Sequence, residues 1–308
     1  MKEAAGELSV RVDDVAVGGN VRERVVERPK GWLDCAGDVV LLIHGYNNNQ
    51  DEACEAFEKF RALMPGGSYQ IGRFFWPGDA DFGYFQWMDF LSYPTEIPDA
   101  RVSAARLAEH LVEANKTARD LKLWLVGHSL GCRLILELLE DLAGWPEDER
   151  PEIKLIMLMA AAVPVELAED GERLYRAGEL AKERLVLYSP DDVVLQWAFP
   201  AGQTLAFSMG NEDAVYLEPV GRFGNPREFA TETPADADRS GNGHADYWED
   251  EQAAALLARK LGGAVAGKLV KKNLPGHTTS PSRPLLQRKT PEHKLTGANW
   301  SVCTNLAS

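Results

Sequence analysis

Cysteine is scarce in this 308-residue chain: Cys35, Cys54, Cys132 and Cys303 are the four, and no two form a Cys-x-x-Cys pair. That spacing excludes the common zinc and dithiol motifs. There is no His-Glu-x-x-His run, no Gly-rich phosphate loop and no Gly-x-Gly-x-x-Gly fingerprint, so no metal, nucleotide or other cofactor is expected. No apolar run approaches the roughly 18 residues that a membrane helix requires, and no membrane span is expected. Met1 to Val10 lacks the apolar stretch of a secretory signal. With so few cysteines, this points to a reducing cytoplasm. Positive charge is also in deficit, with 33 Lys and Arg against 47 Asp and Glu, a net charge of −14. Residues 268–308 carry seven Lys or Arg and one Glu, which leaves −20 on the first 267. Such a body repels nucleic acid phosphates and anionic surfaces, so no nucleic acid partner is expected. Nothing in the chain fixes an oligomeric state.

What is present alternates. Residues 7–17 read as one or two strands ending at Gly18-Gly19-Asn20. Val39 to Ile43 is a continuous apolar run, suited to a strand buried on both faces. Ala53 to Met64 has helical spacing and ends at Pro65-Gly66-Gly67. Ile71 to Trp76 reads as a strand, 100–118 as a helix, and 121–126 as another strand. A helix through Leu142 follows, with Leu130, Leu134, Ile135, Leu138, Leu139 and Leu142 on its core side. Then come a strand at 153–162, a helix at 167–181, a short strand at 185–188, a further candidate strand at 215–217 and a helix at 249–261. This order predicts an α/β fold: a mostly parallel central sheet with helices on both faces. The organisation reads as lead-in strands over 1–37, one domain over 38–262, and a basic, disordered tail over 263–308.

The densest chemistry lies at Gly127-His128-Ser129-Leu130-Gly131, between a predicted strand and a predicted helix. Gly-x-Ser-x-Gly in that setting makes a sharp turn that exposes the serine hydroxyl at a helix N-terminus. A serine hydroxyl is a weak nucleophile and needs a base, which in turn needs an orienting carboxylate. Asp191 and Asp192 both follow the short strand at 185–188. Asp192, followed by Val193-Val194, is the candidate that turns inward, and Asp191 is read as a turn or cap residue. Of the six histidines, only His244 lies after the acid and before the last predicted helix, in a loop opened by Gly241-Asn242-Gly243. Ser129, Asp192 and His244 are therefore the candidate catalytic residues.

The loop His44-Gly45-Tyr46-Asn47 follows the first buried strand, where glycine permits close backbone approach. Backbone N–H groups of Tyr46 and Leu130 are the candidate donors to a developing oxyanion. His44 is read as a brace of this loop and, with Asn47, as a substrate-binding residue. Trp76, Tyr84 and Trp197 are candidates for an apolar wall around a small-molecule acyl substrate.

These residues resemble the α/β-hydrolase superfamily over about 38–261. Within it the chain is similar to an uncharacterised bacterial family with three marks: a strand ending in His-Gly-Tyr-Asn-Asn (here 44–48), a strand ending in Trp-Pro (76–77), and a His-Ser elbow (128–129). Related chains tend to carry an Asp after the strand ending here at Ala160–Val163; this chain has Val163-Pro164. The resemblance implies a Ser–His–Asp hydrolase and supplies no substrate. The leading expectation is a serine hydrolase of esters or related acyl compounds. The alternatives are a catalytically idle binding or scaffold protein on the same fold, and an acyltransferase.

Overall fold

The computed structural model describes residues 6–12, 20–35, 37–46, 50–78, 93–118, 120–224, 229–231 and 241–262. All of them fall in the unit Met1–Ala266. The predicted tail, along with Asn47 and Tyr84, lies outside the described residues.

Seven strands form the sheet: β1 (Gly6–Arg11), β2 (Val21–Arg28), β3 (Asp38–Ile43), β4 (Gln70–Phe75), β5 (Lys122–His128), β6 (Glu152–Met159) and β7 (Glu183–Leu187). Their spatial order is β2-β1-β4-β3-β5-β6-β7. β2 pairs antiparallel with β1, and the other five pairings are parallel. The predicted fold class is the observed one. β3, β5 and β6 are the near-continuous apolar runs, and covering both faces of a parallel sheet requires such runs in its middle. β5 sits between β3 and β6, so whatever follows it emerges at the centre of the sheet's C-terminal edge.

The helices are α1 (Gln50–Leu63), α2 (Tyr93–Ala118), α3 (Leu130–Ala143), α4 (Arg173–Gly178), α5 (Val193–Ser208), α6 (Val220–Phe223) and α7 (Glu251–Lys260). α1 packs with α7, and α2 packs with α3. The six apolar side chains predicted on the core side of α3 are all fully buried. Burying each contributes about 1.5–3 kcal/mol, which makes α3 a rigid base for the turn before it. It also carries an ion-pair cluster: Arg133 Nε meets Glu137 at 2.6 Å, and Arg173 on α4 reaches the same carboxylate at 2.6 Å.

Several elements differ from expectation. No strand forms at 215–217; Val215 and Leu217 are exposed, and the nearby pairing is a single bridge between Pro164 and Pro219. The predicted helix over 167–181 is a 3-10 turn at Glu166–Ala168 followed by the short α4. α2 begins earlier than its apolar pattern suggested and runs through Pro98. The last helix is preceded by a separate 3-10 turn at Asp246–Glu249, with Asp250 as the N-cap that starts α7.

Candidate active site

Ser129 follows β5 directly and has φ 53° and ψ −123°, backbone angles that an L residue rarely adopts. Three backbone hydrogen bonds hold the turn. The Ser129 N–H donates to Met159 O (3.0 Å), and Ser129 O accepts from Cys132 N (3.0 Å) and Ala162 N (3.1 Å). Serine at a helix N-cap ordinarily accepts a bond from the first turn, but this hydroxyl makes no such bond. It meets His244 Nε2 instead, at 3.0 Å.

His244 Nδ1 lies 2.7 Å from Asp192 Oδ2. The second oxygen, Asp192 Oδ1, accepts from Leu195 N at 2.9 Å and caps α5. Asp192 is fully buried and Asp191 is exposed, so the carboxylate beside the imidazole is that of Asp192. A carboxylate can only accept, so His244 Nδ1 carries a proton and Nε2 presents its lone pair to the serine hydroxyl.

The His244 loop is anchored on both sides of the imidazole. Asn242 Nδ2 donates to Asp250 Oδ2 (2.7 Å), and Gly243 N donates to Asp246 Oδ2 (2.7 Å). Trp248 packs edge-on against Phe57 and Phe60 of α1, with centroids 5.3 and 5.5 Å apart. A loop that the glycines alone suggest is flexible is thereby pinned to α1, the crossover helix between β3 and β4. Trp248 is a packing contact of this loop that sequence reasoning missed; an aromatic four residues beyond a histidine carries no signal of its own.

The loop after β3 lies against the elbow. A Cβ on Gly45 would stand 2.8 Å from Ser129 Cβ, and one on Gly131 would stand 2.3 Å from His44 O. Both approaches are too close for any residue with a Cβ, the first against the Ser129 side chain and the second against the His44 backbone. His44 Nε2 accepts from Trp76 N (3.3 Å), so its proton is on Nδ1, which donates to Gly45 O (2.8 Å). In the planar trans peptide that follows, the Tyr46 N–H points opposite to the Gly45 carbonyl and hence away from His44. Leu130 is the first residue of α3, so its N–H has no acceptor within its own helix.

His44 braces the loop as its sequence position suggests, whereas the substrate-binding reading of His44 and Trp76 is overturned by burial. Both are buried. Their rings stack at 5.6 Å, and Trp76 Nε1 donates to His44 O at 3.0 Å. They brace the loop and have no surface to offer a ligand. Trp197 is the opposite case: it is 70% exposed on the first turn of α5, beside exposed Val193 and Val194.

Burial holds two imidazoles of this centre neutral. His44 and His128 are both pushed down to about 3, in each case first by desolvation. In the unfolded chain each titrates near 6.5. As pH falls below 6.5 the unfolded state takes up protons that the folded state refuses, down to about pH 3. Stability is therefore expected to fall with acidity by up to about 2.7 kcal/mol per pH unit from this pair. Asp99 and Asp141, whose carboxyls burial raises to about 6, take up protons in the folded state as pH falls and act with the opposite sign. The effect is therefore read as the difference in urea stability between wild type and His128→Gln at pH 7, 6 and 5. The wild type is expected to lose ground as pH falls, and a difference independent of pH contradicts it.

Residues 32–202 match the family model described as an alpha/beta hydrolase of unknown function (DUF900). The chain belongs to this family. The matched stretch holds β3, the elbow and Asp192, and it ends before His244. No curated protein matches the sequence. Among solved structures, the chain is similar to the catalytic core domain of acetyl xylan esterase from Trichoderma reesei, at 15% identity over 42% of this chain and 65% of that one, with a TM-score of 0.31. It is also similar to a cutinase-like protein from Cryptococcus sp., at 12% identity over 75% and 98%, TM-score 0.38. A third is an extracellular alpha/beta-hydrolase from a Paenibacillus species, at 15% identity over 72% and 98%, TM-score 0.30.

Proposed function

We propose that this member of the alpha/beta hydrolase family is a serine hydrolase that cleaves carboxylic esters through an acyl-enzyme. The observation that carries the reading is the relay from Asp192 Oδ2 through His244 to Ser129 Oγ, at 2.7 and 3.0 Å. In this reading Ser129 Oγ attacks the ester carbonyl carbon as its proton passes to His244 Nε2. The carbonyl oxygen takes up the negative charge and is met by the Tyr46 and Leu130 N–H groups, each such donor contributing on the order of 3 kcal/mol to the transition state. The C–O bond to the leaving group then breaks, and His244 returns the proton to the departing alkoxide oxygen. Water, deprotonated by the same nitrogen, attacks the acyl-enzyme and releases the acid with Ser129 restored. Asp192 keeps His244 in the productive tautomer and balances the imidazolium when it forms.

The apolar first turn of α5 supports an apolar group on the substrate. Val193, Val194 and Trp197 stand exposed beside the acid, and the sixteen residues of α5 include no charged side chain in a chain that is 26% charged. The test is covalent. A fluorophosphonate is expected to add once per chain, with the adduct mapping by peptide mass to Ser129. A chain-length series of p-nitrophenyl esters then reads the acyl preference. An adduct elsewhere, or none on folded protein, removes the proposal.

A further inference from the structure

His128 is the residue before the nucleophile, the last of β5, and the mechanism above makes no use of it. Its Nε2 lies 2.6 Å from the backbone carbonyl oxygen of His244, 116 positions away. A carbonyl only accepts, so His128 carries its proton on Nε2 and donates it there. Nδ1 is then a bare lone pair, and among the described residues it has no hydrogen-bond partner. Leaving that acceptor buried costs about 1–3 kcal/mol, so the imidazole is a poor choice for filling this space alone. What the ring does supply is a link to the loop that bears the base. It stands 4.9 Å from the His244 ring, 6.4 Å from Tyr247 and 5.9 Å from Trp248, centroid to centroid.

We propose that His128 is a positioning residue: by donating Nε2–H to the His244 carbonyl, it sets the base at a fixed distance from the hydroxyl of the very next residue. This rests on the serine hydrolase reading. Both ends of the proton transfer are then referred to one strand end, and Ser129 and His244 cannot drift independently. The neutrality the role requires is present. Burial first, and the nearby His244 second, keep His128 from competing for charge when His244 becomes an imidazolium. A reacting pair displaced by about 1 Å loses on the order of 100-fold in rate.

The experiment uses the full chain with His128→Met and His128→Gln. Glutamine places an N–H donor near the position of imidazole Nε2; methionine fills the volume without one. His128→Met is expected to lower kcat on a p-nitrophenyl ester by about 10- to 100-fold, leave KM within about twofold, and slow fluorophosphonate labelling in parallel. His128→Gln is expected to recover most of kcat. A folded His128→Met with unchanged kcat, or a His128→Gln as slow as the methionine variant, overturns the role. Should His128→Met not fold, nitrogen-15 shifts of the wild-type imidazole decide the bond directly: Nε2–H at pH 7 is expected, and Nδ1–H overturns the proposal. The two possible failures separate. A wild-type protein that neither labels nor turns over ends the hydrolase reading, while an active wild type beside an equally active His128→Met ends only the positioning role.

Discussion

Ser129→Ala is expected to abolish fluorophosphonate labelling and to lower ester hydrolysis by about 10⁴- to 10⁶-fold, the range found when the nucleophile of such a relay is removed. The same substitution is expected to leave the melting temperature unchanged or slightly raised. The two halves of this prediction come from different observations. Activity depends on Ser129 Oγ because it is the atom that His244 Nε2 meets. Stability does not depend on it because the hydroxyl makes no capping bond to α3. Alanine keeps the Cβ, so the strained backbone at φ 53° is neither relieved nor worsened, and the three backbone bonds that enforce it remain. An ordinary capping serine behaves the other way, losing about 1 kcal/mol on replacement with alanine and leaving catalysis alone. Thermal unfolding and steady-state kinetics on one preparation therefore discriminate. A variant destabilised by about that amount with undiminished hydrolysis makes Ser129 a structural turn residue.

The parts of this centre that were legible in the sequence are those fixed by local rules. Gly-x-Ser-x-Gly between an apolar strand and an apolar helix admits few backbone paths. An acid placed just after a strand falls at the same edge as the elbow because parallel strands share a direction. His244 followed from chain order. The parts that were illegible depend on long-range packing. Trp76, beside Pro77-Gly78, looked like a rim aromatic; β4 lies next to β3 in register, Ile43 opposite Phe74, and this carries Trp76 onto the buried ring of His44. β2, Val-Arg-Glu-Arg-Val-Val-Glu-Arg, gives no clear alternation, and its partly exposed edge position makes none necessary. α5 contains Pro200 and Gly202, both poor helix interiors by local propensity, and its packing on α2 outweighs them. The bond from His128 to the His244 carbonyl joins positions that no spacing rule connects.

Asp192→Asn is expected to lower kcat by about 10⁴-fold while the fold and KM hold. The direction follows from how the two carboxylate oxygens are occupied. Oδ1 accepts from Leu195 N at the start of α5, and Oδ2 accepts from His244 Nδ1. Asparagine is as good an N-cap as aspartate, so the cap survives if the amide oxygen keeps the Oδ1 position. That orientation turns the amide NH₂ toward His244 Nδ1. Two donors cannot face each other, so the imidazole proton moves to Nε2, where it is donated to Ser129 and the base is lost. The reverse orientation restores the tautomer but sets the NH₂ against the Leu195 N–H. It forfeits the cap and buries an unsatisfied donor, at about 1–3 kcal/mol. The cap therefore selects the inactive arrangement. The neighbouring Asp191→Asn, on an exposed side chain, is expected to change kcat by less than about twofold. Kinetics of the pair, with the His244 tautomer read by nitrogen-15 shifts, test this directly. If Asp192→Asn retains more than about a tenth of wild-type kcat, the carboxylate serves α5 rather than the base, and the relay loses its third member.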